Sequence, residues 1–139
     1  MLLEKYVILW YYNFIEEVTE MDEKNLAGET YTRPWGNYKV EENNENFQMK
    51  ILTVNPGGIL SLQKHLLREE HWVCICGSGE AQVGDETVYI CKGSYIFIPK
   101  QAMHRLHNTA SEPLMIAEIQ LGDAFEENDI IRFDDIYGR

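Results

Sequence analysis

The chain has 139 residues, enough for one folded domain with a real core and too few for two ordinary ones. Apolar residues make up 45% of it, which indicates a globular rather than a disordered protein. Its 23 acidic and 12 basic residues give a net charge of −11, whereas nucleic acids and anionic membranes are bound by positive surfaces. We therefore expect neither as a partner, and an anionic ligand must be bound by a local cluster of cations.

The first 30 residues are predicted to form an extension or arm. Residues 1–20 carry apolar side chains at helical spacing, although the aromatic and β-branched residues at 6–12 are equally typical of a strand. The apolar run is too short to span a bilayer and lacks a basic leader, so neither a transmembrane helix nor a signal peptide is predicted. Such a segment requires a partner surface on the domain or on a second subunit, and we expect a homodimer.

Cysteine usage indicates the cellular setting. Cys74, Cys76 and Cys91 are an odd number, so they do not suggest a disulfide framework, and no second pair completes a zinc site. We expect small apolar side chains in a reducing environment, and therefore a cytoplasmic protein.

From residue 31 onward, short apolar runs alternate with turn signals. Strands that follow one another without interleaved helices indicate an all-β sandwich or barrel, which we assign to residues 31–139. Strong turn signals stand at 55–58 (Asn-Pro-Gly-Gly) and 84–85 (Gly-Asp). The predicted strands are 47–54, 71–76, 81–83, 87–91, 95–98, 105–107 and 114–120.

Two stretches carry side chains that can bind a divalent cation. Gln63 and His65 lie two residues apart and project from the same face of a strand, and Glu70 stands near the start of the next strand. His104 comes from a separate hairpin. Imidazole nitrogens, a carboxylate and an amide oxygen suit several divalent metals, and three ligands with open positions make a catalytic site. Gln63 is the weakest donor, and its alternative role is to orient a water.

His71 and Arg105 each follow a predicted ligand directly in the sequence. Strand alternation sends each side chain to the face opposite its neighbour. We therefore expect structural or interface roles for both.

The spacing of these residues resembles the two motifs of the cupin superfamily, and it implies a double-stranded β-helix, a jelly-roll barrel. The first motif corresponds to Gly57-x5-Gln63-x-His65-x4-Glu70-x6-Gly77, with Gln63 in place of the first histidine. The second corresponds to Gly93, Pro99, His104 and Asn108, with Gln101 where the family usually has glycine.

Within the cupins, the chain is similar to the isomerase domain of type II phosphomannose isomerases. The resemblance covers about residues 33–139, in order and without large gaps. It departs at Leu66 and Leu67, where many members carry further histidines. It is carried by Arg33-Pro34-Trp35-Gly36-x-Tyr38, Leu60-Ser61-Leu62-Gln63-x-His65-x-x-Arg68-x-Glu70-His71-Trp72, His104-Arg105-Leu106, Glu118-Ile119-Gln120 and Asp129-Ile130-Ile131-Arg132-Phe133-Asp134-Asp135-x-Tyr137-Gly138-Arg139.

This resemblance implies the interconversion of mannose 6-phosphate and fructose 6-phosphate. It also implies one divalent ion, zinc first, with manganese, nickel, cobalt or iron as alternatives. An aldose–ketose isomerase moves a proton between adjacent carbons, which requires a base and a positive charge near the two oxygens. Glu118 is the candidate base because it lies mid-strand among apolar residues, where burial raises a carboxyl pKa. A structural pair with a nearby arginine is the alternative role for Glu118.

Four cations are available for the phosphate group. We expect Lys50 and Arg68 to be catalytic residues together with Glu118. We expect Arg33 and Lys100 to bind the substrate. Trp35 is expected to form a wall of the pocket, with core packing as the alternative.

Two other classes of function stay open. One is a non-catalytic cupin that binds a sugar or a metal. The other is a cupin of another reaction class, such as an iron oxygenase, which oxygen uptake would reveal. The family domain is often fused to a guanylyltransferase for mannose 1-phosphate. No Gly-rich nucleotide-binding segment with a following Lys occurs in this sequence, so that activity is not expected.

Overall fold

The computed structural model describes residues 25–138. The expectations for residues 1–20 lie outside this range, and the boundary at residue 30 stays a prediction. Within the described range the chain forms antiparallel strands and one short 3-10 turn at Glu127–Asp129. The strands are β1 (Thr30–Arg33), β2 (Gly36–Asn43), β3 (Phe47–Val54), β4 (Leu62–Lys64), β5 (Arg68–Cys76), β6 (Ser78–Val83), β7 (Glu86–Cys91), β8 (Tyr95–Ile98), β9 (His104–His107), β10 (Leu114–Gly122) and β11 (Ile131–Asp134).

Two antiparallel sheets enclose the core. One sheet has the order β1-β2-β3-β10-β5-β8, and the other has the order β11-β4-β9-β6-β7. Strands distant in sequence are therefore neighbours, as in a jelly roll. In particular, β4 of the first motif pairs with β9 of the second, with Gln63 opposite His104. The two sheets confirm the predicted all-β fold, and the pairing of β4 with β9 brings the two motifs together.

The inward-facing side chains of β3 and β10 are apolar at one end of the barrel and polar at the other. Buried and partly buried residues alternate along both strands, as expected for strands with one face toward a core. At one end the buried residues are apolar: Leu52, Val54, Leu114 and Ile116. At the other end they are polar: Gln48, Lys50, Glu118 and Gln120. Because buried polar groups cost free energy unless they are paired, the polar half is the candidate functional site.

The strand predictions hold best where alternation is clear. The predicted bounds 47–54 and 95–98 match β3 and β8. Strand β5 begins at Arg68 rather than at 71, because residues 68–70 continue the ladder with β10. The break at Gly77 is a single residue with φ of +77°, so β6 begins directly at Ser78. Strands β1, β2 and β11 were not predicted individually.

Two further observations concern the setting of the protein. Cys74, Cys76 and Cys91 are free thiols. Within residues 25–138, no helix is long and apolar enough to cross a membrane.

Candidate metal centre and substrate cavity

His65, Glu70 and His104 converge inside the barrel. His65 directly follows β4, Glu70 lies on β5 and His104 begins β9, and each is at most 2% exposed. The Nε2 atom of His65 lies 2.9 Å from Glu70 Oε1, and that of His104 lies 3.5 Å from Glu70 Oε2. One ligand atom from each residue lies within 4.8 Å of the other two, so a single cation between them can contact all three.

Backbone carbonyls fix the orientation of both imidazoles. His65 Nδ1 lies 2.8 Å from the Asp129 carbonyl oxygen, and His104 Nδ1 lies 2.9 Å from that of Ala102. Because a carbonyl only accepts, each Nδ1 carries the proton and donates it. Each Nε2 then faces the Glu70 carboxylate and has no hydrogen-bond partner. Hydrogen bonds of this kind orient the histidine ligands of metal sites.

Burial and mutual charge both act on the pKa values of this cluster. Burial lowers the pKa of His104, although the charge of Glu70 opposes this effect. Burial alone would raise the pKa of Glu70, but His104, His65 and Arg68 outweigh it and hold that pKa well below its usual range. A single proton satisfies one imidazole–carboxylate pair only, whereas a divalent cation satisfies all three donors at once. The donor set therefore fits a divalent metal.

Gln63 stands beside this cluster. It lies opposite His104 on the neighbouring strand, and side chains at directly opposed positions share a face. Its amide oxygen accepts a hydrogen bond from Ser61 Oγ at 2.9 Å. One lone pair of that oxygen is left, which suits either a fourth ligand or a partner for water, so the role of Gln63 stays a prediction.

Glu118 is a second buried carboxylate next to Glu70. It is 5% exposed and accepts hydrogen bonds from Trp72 Nε1 at 3.0 Å and Gln120 Nε2 at 2.7 Å. Among residues 25–138, no arginine forms a hydrogen bond or salt bridge with it. Burial and the negative charge of Glu70 raise the pKa of Glu118 to about 8, against the opposing charge of Lys50. Two carboxyls with pKa values pushed apart are typical of acid–base sites.

A cavity of about 510 Å³, including its open mouth, gives access to the cluster. His65, Glu70 and Glu118 line it. The other predicted site residues that line it are Arg33, Trp35, Lys50, Gln63 and Arg68.

Two of the predicted cations are buried and already have partners. Lys50 Nζ lies 3.2 Å from Glu127 Oε1 and 4.4 Å from the centroid of the Tyr38 ring. Arg68 donates from Nη1 to the Glu126 carbonyl oxygen at 2.9 Å, and its Nε lies 4.0 Å from Glu70. Both give the inner cavity a positive charge that is balanced within the protein.

The remaining predicted substrate contacts differ in position. Arg33 is half-buried and donates to the Thr32 carbonyl oxygen and to the Tyr38 hydroxyl. Trp35 both lines the cavity and belongs to the hydrophobic core. Lys100 is exposed after β8 and does not line the cavity, so the structure does not bring it to the site.

His71 and Arg105 point away from the cluster, as strand alternation predicted. His71 lies 2.6 Å from the Tyr95 hydroxyl and contacts Glu69. Arg105 forms an ion pair with Asp134 at 3.0 Å. Neither side chain lines the cavity.

Sequence reasoning missed several residues that position the site. The carboxylate of Asp129 accepts from the backbone N–H groups of Leu66 and Leu67, both at 3.0 Å, while its carbonyl holds His65. Gln120 bonds both carboxylates, at 2.7 Å to Glu118 and 3.3 Å to Glu70. Most of these contacts join residues 50 or more positions apart, and the only signal in the sequence was that Gln120 and Asp129 lie in segments resembling the family.

A family model and several known proteins match most of the length of this chain. The family model described as "Mannose-6-phosphate isomerase C-terminal" matches residues 19–135. The chain is 43% identical over 107 residues to the xanthan biosynthesis protein XanB of Xanthomonas campestris pv. campestris (strain B100). The aligned residues make up 77% of this chain and 23% of that protein. It is 39% identical over 117 residues to the mannose-1-phosphate guanylyltransferase ManC of Salmonella typhimurium, covering 84% and 24%. The chain thus spans about a quarter of the length of these relatives.

Solved structures support the fold alone. The oxalate decarboxylase of Lactobacillus farciminis, a formate complex, has a TM-score of 0.67 at 20% identity, over 76% of this chain and 33% of that one. An uncharacterized conserved protein with a double-stranded beta-helix domain from Klebsiella pneumoniae has a TM-score of 0.63 at 15% identity, over 78% and 87%. The chain therefore has the cupin-type double-stranded β-helix that its sequence predicted.

Proposed function

The chain belongs to the mannose-6-phosphate isomerase C-terminal family, and we propose that it interconverts mannose 6-phosphate and fructose 6-phosphate. One observation carries the proposal. A two-histidine, one-carboxylate cluster that fits a metal lies beside a second buried carboxylate, Glu118, and both carboxylates line one open cavity. A metal site next to an acid–base group is the arrangement that an aldose–ketose isomerisation requires.

His65, Glu70 and His104 would hold the metal, with Gln63 as a further ligand or as the partner of a water. When bound, a divalent ion supplies positive charge that stabilises negative charge developing on the carbonyl and hydroxyl oxygens of the sugar. Zinc is our first choice, but these nitrogen and oxygen donors also suit manganese, nickel, cobalt and iron. The carbonyls of Asp129 and Ala102 keep both Nε2 atoms aimed at this position.

Glu118 is the proposed proton carrier. It would take the proton from one of the two reacting carbons and return it to the other, while the hydroxyl proton passes between the two adjacent sugar oxygens. Glu118 therefore begins and ends each turnover ionised. Hydrogen bonds from Trp72 and Gln120 stabilise its ionised form and fix its position. A cation bound by Glu70 would weaken the repulsion that raises the pKa of Glu118, and the ionised fraction at neutral pH would increase.

The remaining predicted residues would bind the sugar phosphate. Lys50 and Arg68 give the inner cavity positive charge, Arg33 reaches its edge, and Trp35 provides an apolar wall. In a chain of net charge −11, these cations would offset part of the negative potential that an anionic substrate meets at the cavity. Lys100 has no part in the proposal because it is outside the cavity. A cytoplasmic homodimer stays a prediction, and light scattering on the eluted protein measures its oligomeric state.

A cupin of another reaction class is the second candidate. Two imidazoles and one carboxylate with open positions are also the ligand set of non-haem iron oxygenases. The family match favours the isomerase. Iron retained through purification, together with oxygen consumption, would favour the oxygenase.

The proposal is tested with metal-stripped protein. Zinc, manganese, nickel, cobalt and iron are added back one at a time, and fructose 6-phosphate formed from mannose 6-phosphate is followed in a coupled assay. We expect at least one metal to restore turnover. No turnover in folded protein shown to be metal-loaded would overturn the proposal and would favour a binding module.

A further inference from the structure

Arg132 stands at the cavity, although neither the predicted metal site nor the predicted substrate contacts include it. We propose that Arg132 binds the phosphate group of the sugar and thereby selects a phosphorylated substrate. This inference rests on the proposed function, because it assumes that a sugar phosphate occupies the cavity.

The strand register places Arg132 in line with the metal cluster. Arg132 on β11 lies opposite Gln63 on β4, and Gln63 lies opposite His104 on β9. Directly opposed residues of neighbouring strands project to the same face of a sheet. The three side chains therefore form one row on the inner face, and Arg132 lines the cavity together with Gln63.

The length of this row matches the proposed substrate. Neighbouring strands lie about 4.8 Å apart, so Arg132 stands on the order of 10 Å from His104, two strands away. That is about the distance from the carbonyl end of an open-chain six-carbon sugar to a phosphate on its sixth carbon. A sugar with its reacting carbons at the metal would then bring its phosphate to Arg132.

Arg132 is also available for an anion, whereas the other cations that line the cavity have partners. Within residues 25–138, its guanidinium forms no hydrogen bond or ion pair, and its residue is exposed. Lys50 forms an ion pair with Glu127. Arg68 donates a hydrogen bond to the Glu126 carbonyl oxygen, and Arg33 donates one to the Thr32 carbonyl oxygen. A guanidinium offers parallel N–H donors that match two phosphate oxygens. Its exposed position lets the rest of the phosphate remain hydrated.

The opposite face of the same strand pair supplies a matched control. Lys64 lies next to Gln63 on β4, so it projects outward, and its Nζ lies 5.5 Å from the centroid of the Phe133 ring. Lys64→Ala removes one positive charge from the same end of the barrel without changing the cavity. Any general effect of net charge on anion binding would appear equally in this variant.

The test measures binding of fructose 6-phosphate, fructose and inorganic phosphate to the full chain by calorimetry or competition. The proteins compared are the wild type, Arg132→Ala, Arg132→Lys and Lys64→Ala, each with its thermal unfolding midpoint as the check of folding. We expect Arg132→Ala to weaken fructose 6-phosphate binding roughly 10- to 100-fold, the usual effect of losing charge-assisted hydrogen bonds. Arg132→Lys should retain part of the affinity, and Lys64→Ala nearly all of it.

The outcomes separate the inference from the proposed function. Binding of fructose should be the same in the wild type and Arg132→Ala, and inorganic phosphate should bind more weakly than the sugar phosphate. The inference is overturned if Arg132→Ala binds fructose 6-phosphate as the wild type does, or loses affinity equally for fructose. A wild-type protein that is folded and metal-loaded but binds no sugar phosphate overturns the proposed function, and the inference with it.

Discussion

Glu70 and Glu118 accept hydrogen bonds from the same indole N–H group. Trp72 Nε1 lies 2.9 Å from Glu70 Oε2 and 3.0 Å from Glu118 Oε2. Two buried carboxylates this close repel each other, so one takes up a proton unless a cation compensates. The two imidazoles beside Glu70 mark where that cation fits. The geometry thus links metal binding to the ionisation of Glu118.

Metal binding should raise the free energy of unfolding, and this increase should require His104 as a ligand. A cation held only by the folded protein, at 100 times its dissociation constant, adds about 2.7 kcal/mol to the free energy of unfolding, or roughly 10 °C in Tm. We expect this increase in the wild type with added zinc and its loss in His104→Ala. His71→Ala is the control, because His71 points away from the cluster. Scanning calorimetry with and without a chelator measures it, and an equal increase in His104→Ala would contradict the assigned site.

Replacing Glu118 by glutamine should separate metal binding from proton transfer. Glutamine keeps the shape of the side chain but cannot accept the substrate proton, so kcat should fall on the order of 10²- to 10⁴-fold. The metal content should be unchanged. Glu69→Gln makes the same substitution on β5, on the opposite face from Glu70, and should keep full turnover. Wild-type turnover in Glu118→Gln would remove Glu118 as the base.

The Glu127–Lys50 pair should make stability depend on acid pH. Burial raises the pKa of Glu127, but the charge of Lys50 and a hydrogen bond from Asn25 outweigh it, so this pKa lies below its usual value. A lowered carboxyl pKa contributes stability that is present above the unfolded-state pKa of about 4.3 and is lost as pH falls through the folded-state pKa. Glu127→Gln should therefore cost about 1–3 kcal/mol at pH 7.

The check is the free energy of unfolding by urea between pH 7 and pH 3. The difference between the wild type and Glu127→Gln should shrink as the pH falls below about 4. A difference that stays constant over this range would show that the pair contributes no pH-dependent stability.

Gln101 has a backbone conformation that suits glycine. Its φ is +69°, and its N–H donates to the His65 carbonyl oxygen at 2.7 Å. The left-handed region destabilises a non-glycine residue by roughly 1–2 kcal/mol, while glycine loses about 0.4–1 kcal/mol through its larger unfolded-state entropy. Gln101→Gly should therefore stabilise the protein by up to about 1 kcal/mol. Gln101→Ala keeps the unfavourable conformation and should give no gain in urea denaturation; an equal gain in both would contradict this explanation.

Motif spacing singled out the four candidate metal ligands, three of which are close neighbours in the sequence. Gln63, His65 and Glu70 lie within eight residues, and His104 follows the turn that Pro99 begins. Alternation also placed His71 on the outer face correctly. Gln101 stands where the family usually has glycine, and it adopts the left-handed conformation that favours glycine.

Other parts of the site depended on long-range pairing that local patterns do not encode. Arg132 lies in a short strand that is exposed throughout, so no alternation of apolar residues marks it. Its role follows only from its position opposite Gln63 on β4. Glu127 and Asp129 act through contacts with residues more than 60 positions earlier. Lys100 illustrates the opposite error, since closeness in sequence to His104 did not bring it into the cavity.

The cluster of His65, Glu70 and His104 is proposed to support sugar-phosphate isomerisation. The most direct measurement is turnover of mannose 6-phosphate to fructose 6-phosphate by reloaded wild-type, His104→Ala and His71→Ala proteins, with the bound metal quantified in each sample. We expect turnover in the wild type and His71→Ala, and loss of both metal and turnover in His104→Ala. Turnover at the wild-type level in metal-free His104→Ala, or none in the metal-loaded wild type, would contradict it.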